Sequence, residues 1–497
     1  MNLKTVQYAL FLLPLAALLI YIGYCFNYML GTFHYLPQAD DYRLTLYHIK
    51  PFLDGSWDAK MLWSDVHPNP IHGLILIGSA YFEQMSFASL PYLLFPFLLF
   101  KWLLIYTSLN TTTTDSVNPY FKQYAFIVFG FIIFSFNSIQ QYLWNSVAIA
   151  NIYHAMGALY ILLIARFLKS SSLINLSLLL LFTTVFLICC RQFAAPWAYA
   201  TLFSSFLLIV ISKQHRSIGF KILLAIFIAI ICESAFYKVM GIDLHYDSSS
   251  SSVITSIVNN WGSRLDELFL FSITELAMPI IYPWYLLRHS SVNSITLTTG
   301  IFIISIAYTY VFSISLVRLR SNLSYFIPIL ILIFVGVTIV ATTVFRTNEN
   351  TDWLINHIPR YSVFRNIAIM AMIWVLVISV DLHKIVKWIN YSLLLMLTVT
   401  LAWTFNIHYQ TEKAAAPYRV ALQKDLQQEL KFVYSEISKN SDVREDVIIE
   451  RYKEEFKKEF KLQLGKPDTP SQRWKINVIE LWGDNNLSIF RESTKTK

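Results

Sequence analysis

Residues Tyr8 to Leu30 read YALFLLPLAALLIYIGYCFNYML, twenty-odd positions without a charged side chain. A helix of that length crosses roughly 30 Å of hydrocarbon. It is longer than a signal-peptide core, and many similar runs follow it, so it reads as an anchor that stays with the chain. The whole composition agrees. Of 497 residues, 56% are hydrophobic, 16% aromatic and only 14% charged, with a mean hydropathy of +0.50. A water-soluble core cannot hide that much apolar surface. The expected fold class is an all-α polytopic membrane protein.

Beyond the first run, spans are expected at Leu90 to Leu109, Tyr124 to Ile139 (a short one), Val147 to Ala165, Leu173 to Cys189 and Ala194 to Ile211. Ile218 to Phe236, Ile295 to Leu316, Leu323 to Val344, Val363 to Ser379 and Ile389 to Phe405 follow, for about eleven in all. Lys4, Lys122, Arg166 with Lys169, Lys213 with Arg216 and Lys221, Arg318 with Arg320, and Lys384 with Lys387 then fall on one side in short loops. The positive-inside rule makes that side, and the N-terminus, cytoplasmic. Ile71 to Phe82 is too short to span and reads as a helix embedded from the outer face; a full crossing would invert the later parity. The net charge of +8 is spread along the chain, as topology requires, and calls for no nucleic acid. Cys25, Cys189, Cys190 and Cys232 lie in apolar runs, as small hydrophobes rather than a disulfide framework or thiolate metal site.

The extramembrane mass gathers on the opposite, outer side. It comprises loops at 31–89, 237–294 and 345–362, completing a membrane domain over 1–405, and a tail over 406–497. Ser248 to Ser252 reads as a serine linker. Leu268 to Leu287 carries Glu275, Pro279 and Pro283 and reads as a surface-lying or re-entrant helix. Lys424 to Leu464 mixes charged and apolar residues at helical spacing, interrupted at Asn440 and Ser441, which predicts a small helical domain exposed to water.

The first outer loop opens Gln38-Ala39-Asp40-Asp41-Tyr42-Arg43 and continues to Asp65-Val66-His67-Pro68-Asn69-Pro70-Ile71-His72. Carboxylates at a bilayer edge stay hydrated, pair with cations or line a working cavity. Phosphate-loop, paired-His zinc and Gly-x-Ser-x-Gly motifs are missing from the sequence. Nucleotide donors are not found outside the cytoplasm, so a lipid-linked activated donor is the natural alternative for chemistry on that face.

Asp40-Asp41, His67-Pro68 about 25 residues later, and Arg360-Tyr361 in a late outer loop together resemble the GT-C superfamily of integral-membrane glycosyltransferases. Within it, Asp40-Asp41-Tyr42-Arg43 and the soluble tail look most like bacterial enzymes that decorate O-antigen or other surface glycans. His67-Pro68-Asn69-Pro70 differs from the His-Pro-Pro of many relatives, and Asp41 stands where several families have Glu. The resemblance implies an inverting glycosyltransferase in a bacterial inner membrane with a periplasmic site. Its partners would be a polyprenyl-phosphate sugar donor, a glycan or lipid-linked acceptor, and membrane lipids.

Sugar transfer from a polyprenyl phosphate needs a base for the acceptor hydroxyl and groups that stabilise the leaving phosphate. Asp40 or Asp41 suits the base, its like-charged neighbour raising its proton affinity; either can instead cap the helix that follows. Arg360 is the first candidate for the phosphate, because a guanidinium grips phosphate oxygens in a fork; Arg346 and Arg365 bracket it, and snorkelling to headgroups is the alternative. His67 and His72 are candidates for the same phosphate, or with Asp65 for a divalent cation such as Mg or Mn; metal dependence stays open. Arg191, beside Cys189-Cys190, is a phosphate candidate or a topology anchor. Asn151 and His154, one helical turn apart, face a cavity or are satisfied intramembrane polar groups. Arg43 and Tyr361 complete the candidates. Two other activities suit the architecture: an O-antigen polymerase or ligase, and a lipid-linked glycan transporter or flippase, although transporters more often carry repeats and mid-membrane charges.

Overall fold

A computed structural model describes residues 3–33, 45–63, 70–83, 89–113, 117–136, 149–242, 272, 275–276, 293–345, 351–379, 384–439, 445–456, 478–481 and 484. The long helices are α1 (Leu3–Thr32), α2 (Pro70–Glu83), α3 (Leu90–Thr112), α4 (Pro119–Ile133), α5 (Ala150–Lys169), α6 (Leu173–Ile211) and α7 (Arg216–Met240). They continue with α8 (Asn293–Leu319), α9 (Phe326–Phe345), α10 (Thr351–Ile378), α11 (Lys384–Lys439) and α12 (Glu445–Phe456). No strand occurs among the described residues. Among the described residues eight helices are long and apolar enough to cross a membrane. The stretches Tyr124 to Ile139 and Val363 to Ser379 coincide with shorter apolar helices, Pro119–Ile133 and Arg365–Ile378. Shorter still, α2 has 14 residues, about 21 Å of helix, and falls short of the hydrocarbon thickness.

Local chemistry sets the ends of these helices. Asn118 accepts the Tyr120 amide and Pro119 opens α4, the usual pairing of an N-cap acceptor with a proline at the first helical position. Ser172 accepts the Asn175 amide at the start of α6. Gly241 ends α7 in the left-handed region at φ 62°, where a side chain on Cβ is disfavoured.

Although α6 is continuous by hydrogen bonding, Cys190 has non-helical torsions (φ −153°, ψ 45°), and the contacts of Tyr160 show a reversal there. The Tyr160 ring lies 6.5 Å from Phe186 and 6.2 Å from Trp197, and its hydroxyl donates to Thr201 Oγ1 at 2.7 Å. In an unbroken helix residues 186 and 201 would stand about 22 Å apart. Both therefore reach one tyrosine only if the chain doubles back at Cys190, which separates the two apolar runs as the hydropathy expects. Helix α7 then pairs with the second arm. A Cβ on Gly219 would sit 3.0 Å from the Ser205 carbonyl oxygen of that arm, and Tyr237 reaches the end of the first arm, donating to the Ile188 carbonyl at 3.2 Å.

The chain divides into two compact units. The first comprises Met1–Asn27, Pro96–Gln140 and Asn151–Glu412. Its centre is α9 and the second half of α10, where Phe326 to Val335 and Ile367 to Val377 are buried on every side, the mark of a helix enclosed by other helices. Trp197 stacks on Phe334 at 3.7 Å, and Gly157 gives room for the indole, since a Cβ there would be 2.8 Å from Trp197 Nε1. Leu12, Leu13, Leu19 and Ile20 of α1, by contrast, are exposed, as lipid-facing positions are.

The second unit comprises Tyr28–Phe95, Gln141–Ala150 and Lys413–Lys497, so the first outer loop and the tail belong together and the division does not fall at 405/406. Within it the end of α11 packs against α12. Tyr452 donates to the Glu429 carboxylate, Arg451 Nη1 meets Glu436 Oε2 at 2.5 Å, and Phe432 packs edge-on against Phe456 at 5.4 Å. Leu430, Val433, Ile448 and Tyr452 are buried between them.

Candidate functional site

Described elements flank the acidic pair in sequence. On one side α1 ends at Thr32 and Phe33, and Gln423 of α11 donates Nε2 to both carbonyls, at 3.3 and 2.9 Å. Those two acceptors would otherwise be unsatisfied at a helix C-terminus, so the tail helix fixes the point from which the loop departs. On the other side a π-helical turn, Thr45–Ile49, runs into Lys50–Leu53. Its His48 is buried and lies over the backbone of α2, where a Cβ on Gly73 would come 3.3 Å from the imidazole and 2.9 Å from Leu62. A 3-10 turn, Ala59–Trp63, leads towards the His67-Pro68 segment, and α2 begins immediately after it. Phe52 meets Tyr81 of α2 edge-on at 6.3 Å.

Asp40, Asp41, Arg43, Asp65, His67 and Arg346 lie outside the described residues. Arg360 and Tyr361 fall within helix α10 rather than in an irregular loop. His72 is in the first turn of α2, partly buried. Among the described residues no three His, Cys, Asp or Glu side chains gather at metal-binding distance.

Arg191 follows the reversal at Cys190, and its Nε stands 3.2 Å from Glu233 Oε1, with the guanidinium carbon 5.7 Å from the Tyr237 ring centroid. An anion arriving here competes with a carboxylate already in place. Arg365, expected near the phosphate or the headgroups, is instead 1% exposed and bound to Glu275. Its Nε donates to Glu275 Oε2 at 3.1 Å and its Nη1 to Thr338 Oγ1 at 2.6 Å. Glu275 is itself fully buried, so part of the Leu268 to Leu287 stretch enters the protein interior. His154 packs edge-on against Phe193 at 5.9 Å, beside the Tyr153–Phe193 stack at 4.6 Å, and Asn151 is buried.

Four groups escaped the reading of the sequence. His48 and Gln423 carry no motif and are recognised only by their contacts. Glu233 and Lys101 did leave a signal, each a lone charge within a long apolar run.

No protein-family profile, no curated protein and no solved structure matches the chain. Its helices define an all-α polytopic membrane protein.

Proposed function

We propose that the chain is an inverting glycosyltransferase that moves a sugar from a polyprenyl-phosphate-linked donor to a glycan or lipid-linked acceptor on the outer face of the membrane. The observation carrying this reading is the ordered set Asp40-Asp41, His67-Pro68 and Arg360-Tyr361 in a polytopic all-α chain. In support, Asp40-Asp41 and His67-Pro68 fall in the same compact unit, Tyr28–Phe95 with Gln141–Ala150 and Lys413–Lys497.

In this reading the protein has about eleven spans, its N-terminus in the cytoplasm and its tail outside, in a bacterial plasma membrane. One carboxylate of the pair takes the proton of the acceptor hydroxyl, whose oxygen attacks the anomeric carbon. The bond from that carbon to the phosphate oxygen breaks with its electron pair, and polyprenyl phosphate leaves. Direct displacement inverts the anomeric centre. Arg360, with His67 and Arg346, stabilises the phosphate charge as it develops. Arg191 is held in reserve by Glu233, and Arg365 is withdrawn from this role by Glu275.

The test is the mass of the surface-glycan repeat unit from source cells carrying the wild-type chain or the Asp40→Asn, Asp41→Asn variant at matched abundance. Loss of one sugar's mass per repeat is the expected result. An unchanged repeat with altered chain length would point to a polymerase, and an unchanged glycan would end the catalytic reading of the pair.

A further inference from the structure

Arg365 stands just before a stretch of α10 that gives the helix little to orient itself by. Ile367 to Val377 are apolar and buried on every side, so hydrophobicity alone marks no preferred face. Arg365 does. Its Nε and Nη2 both donate to Glu275 Oε2, the first at 3.1 Å, and its Nη1 donates to Thr338 Oγ1 of α9 at 2.6 Å. The Thr338 hydroxyl gives its own proton to the Val335 carbonyl, 2.9 Å away, which leaves a lone pair for the guanidinium. A planar group held through all three nitrogens has one orientation, and it joins α10, α9 and Glu275 at a single point within the first unit.

Stability does not account for this arrangement. Two nitrogens converge on one carboxylate oxygen where a fork would engage both, and the buried Oε1 of Glu275 has no hydrogen-bond partner among the described residues. Apolar side chains of like volume would avoid desolvating either charge. What a buried polar contact supplies instead is register. Arg360 and Tyr361 precede Arg365 by five and four residues on the same helix, about 7.5 and 6 Å along its axis, and a slip of one residue turns a helix by about 100°. We infer that Arg365 and Glu275 are positioning residues, an ionic peg that fixes the rotation of α10 and so sets the rotational position of Arg360 and Tyr361 on it. That these two residues act on a lipid-linked phosphate rests on the proposed transferase reading; the peg itself does not.

The full chain in phosphatidylcholine nanodiscs is assayed for kcat and donor KM with a panel of polyprenyl-phosphate hexoses and a glycan acceptor. The rotation of α10 is read separately, as a double electron–electron resonance distance between spin labels at Asn356 of α10 and at Val239 of α7, which is exposed. Arg365→Met combined with Glu275→Met, at a thermal midpoint close to that of the wild type, should still lower kcat at least about tenfold with donor KM within about threefold, because misplacement of a reacting group acts on the chemical step. The label distance should shift by about 5 Å, as a turn of one residue requires. A pair that only stabilised the fold would move neither once the midpoint had returned. Thr338→Val, isosteric and leaving the charges paired, should show both changes in smaller measure. Wild-type kcat and wild-type distance in the double variant and in Thr338→Val would overturn the inference, and so would a lowered kcat at an unmoved distance. A shifted distance in the double variant, with no transfer by the wild type from any donor, would leave the peg and remove the transferase reading.

Discussion

At the scale of single residues, the molecule keeps two kinds of charge in its interior. Arg365, Glu275 and Thr338 form a connected set in which each charge depends on the other for its tolerance of burial. Removing one member leaves the other buried without a counter-charge, which in such pairs destabilises by about 3–5 kcal/mol, whereas replacing both with apolar residues is often neutral. Arg365→Met should therefore lower the unfolding midpoint in detergent substantially, and Arg365→Met combined with Glu275→Met should recover most of the loss. A thermal-shift measurement of the single and double variants decides it, and additive losses would show that the pair is not coupled. Lys101 contrasts with this pair because no partner of opposite sign is present among the described residues. The same carboxylates explain why Arg191 and Arg365 could not be separated from Arg360 in the sequence. A guanidinium near a span reads alike whether it meets a phosphate, a headgroup or a glutamate, and Glu233 and Glu275 lie 42 and 90 residues away along the chain.

At the scale of elements, the reversal within α6 is the feature with most consequence for topology. Spin labels at Ile174 and Val210, both exposed, would be separated by about 54 Å along an unbroken helix. The folded-back geometry puts them below about 30 Å, as neighbouring helices require, and a double electron–electron resonance distance near the longer value would refute the hairpin. The two apolar runs were legible because each is long enough to span. Their manner of joining was not, since Cys189-Cys190-Arg191-Gln192 has neither a glycine nor a proline to announce a turn, and only tertiary contacts around Tyr160 define it. The tail was similarly half legible. Helical spacing from Lys424, interrupted at Asn440 and Ser441, is legible in the sequence, but the joining of α11 to the carbonyls of Thr32 and Phe33 through Gln423 is a contact across roughly 390 residues of sequence that no periodicity encodes.

At the scale of the whole molecule, composition alone points to the class, and the eight long apolar helices among the described residues agree with it. Function stood in fewer residues. Asp40, Asp41 and His67 are proposed from their type, order and spacing along the chain, and they lie outside the described residues. The groups that hold the flanking elements, His48 against Gly73 and Gln423 against the end of α1, are ordinary residue types whose role comes from position. The most direct measurement is turnover by the purified chain in nanodiscs. A panel of polyprenyl-phosphate hexoses is supplied with glycan acceptor, and released polyprenyl phosphate is quantified by mass spectrometry for the wild type and for Asp40→Asn, Asp41→Asn at equal thermal midpoint. Acceptor-dependent release by the wild type, reduced at least a hundredfold in the variant, is the predicted result; equal release by both proteins, or none by either from any donor in the panel, would contradict it.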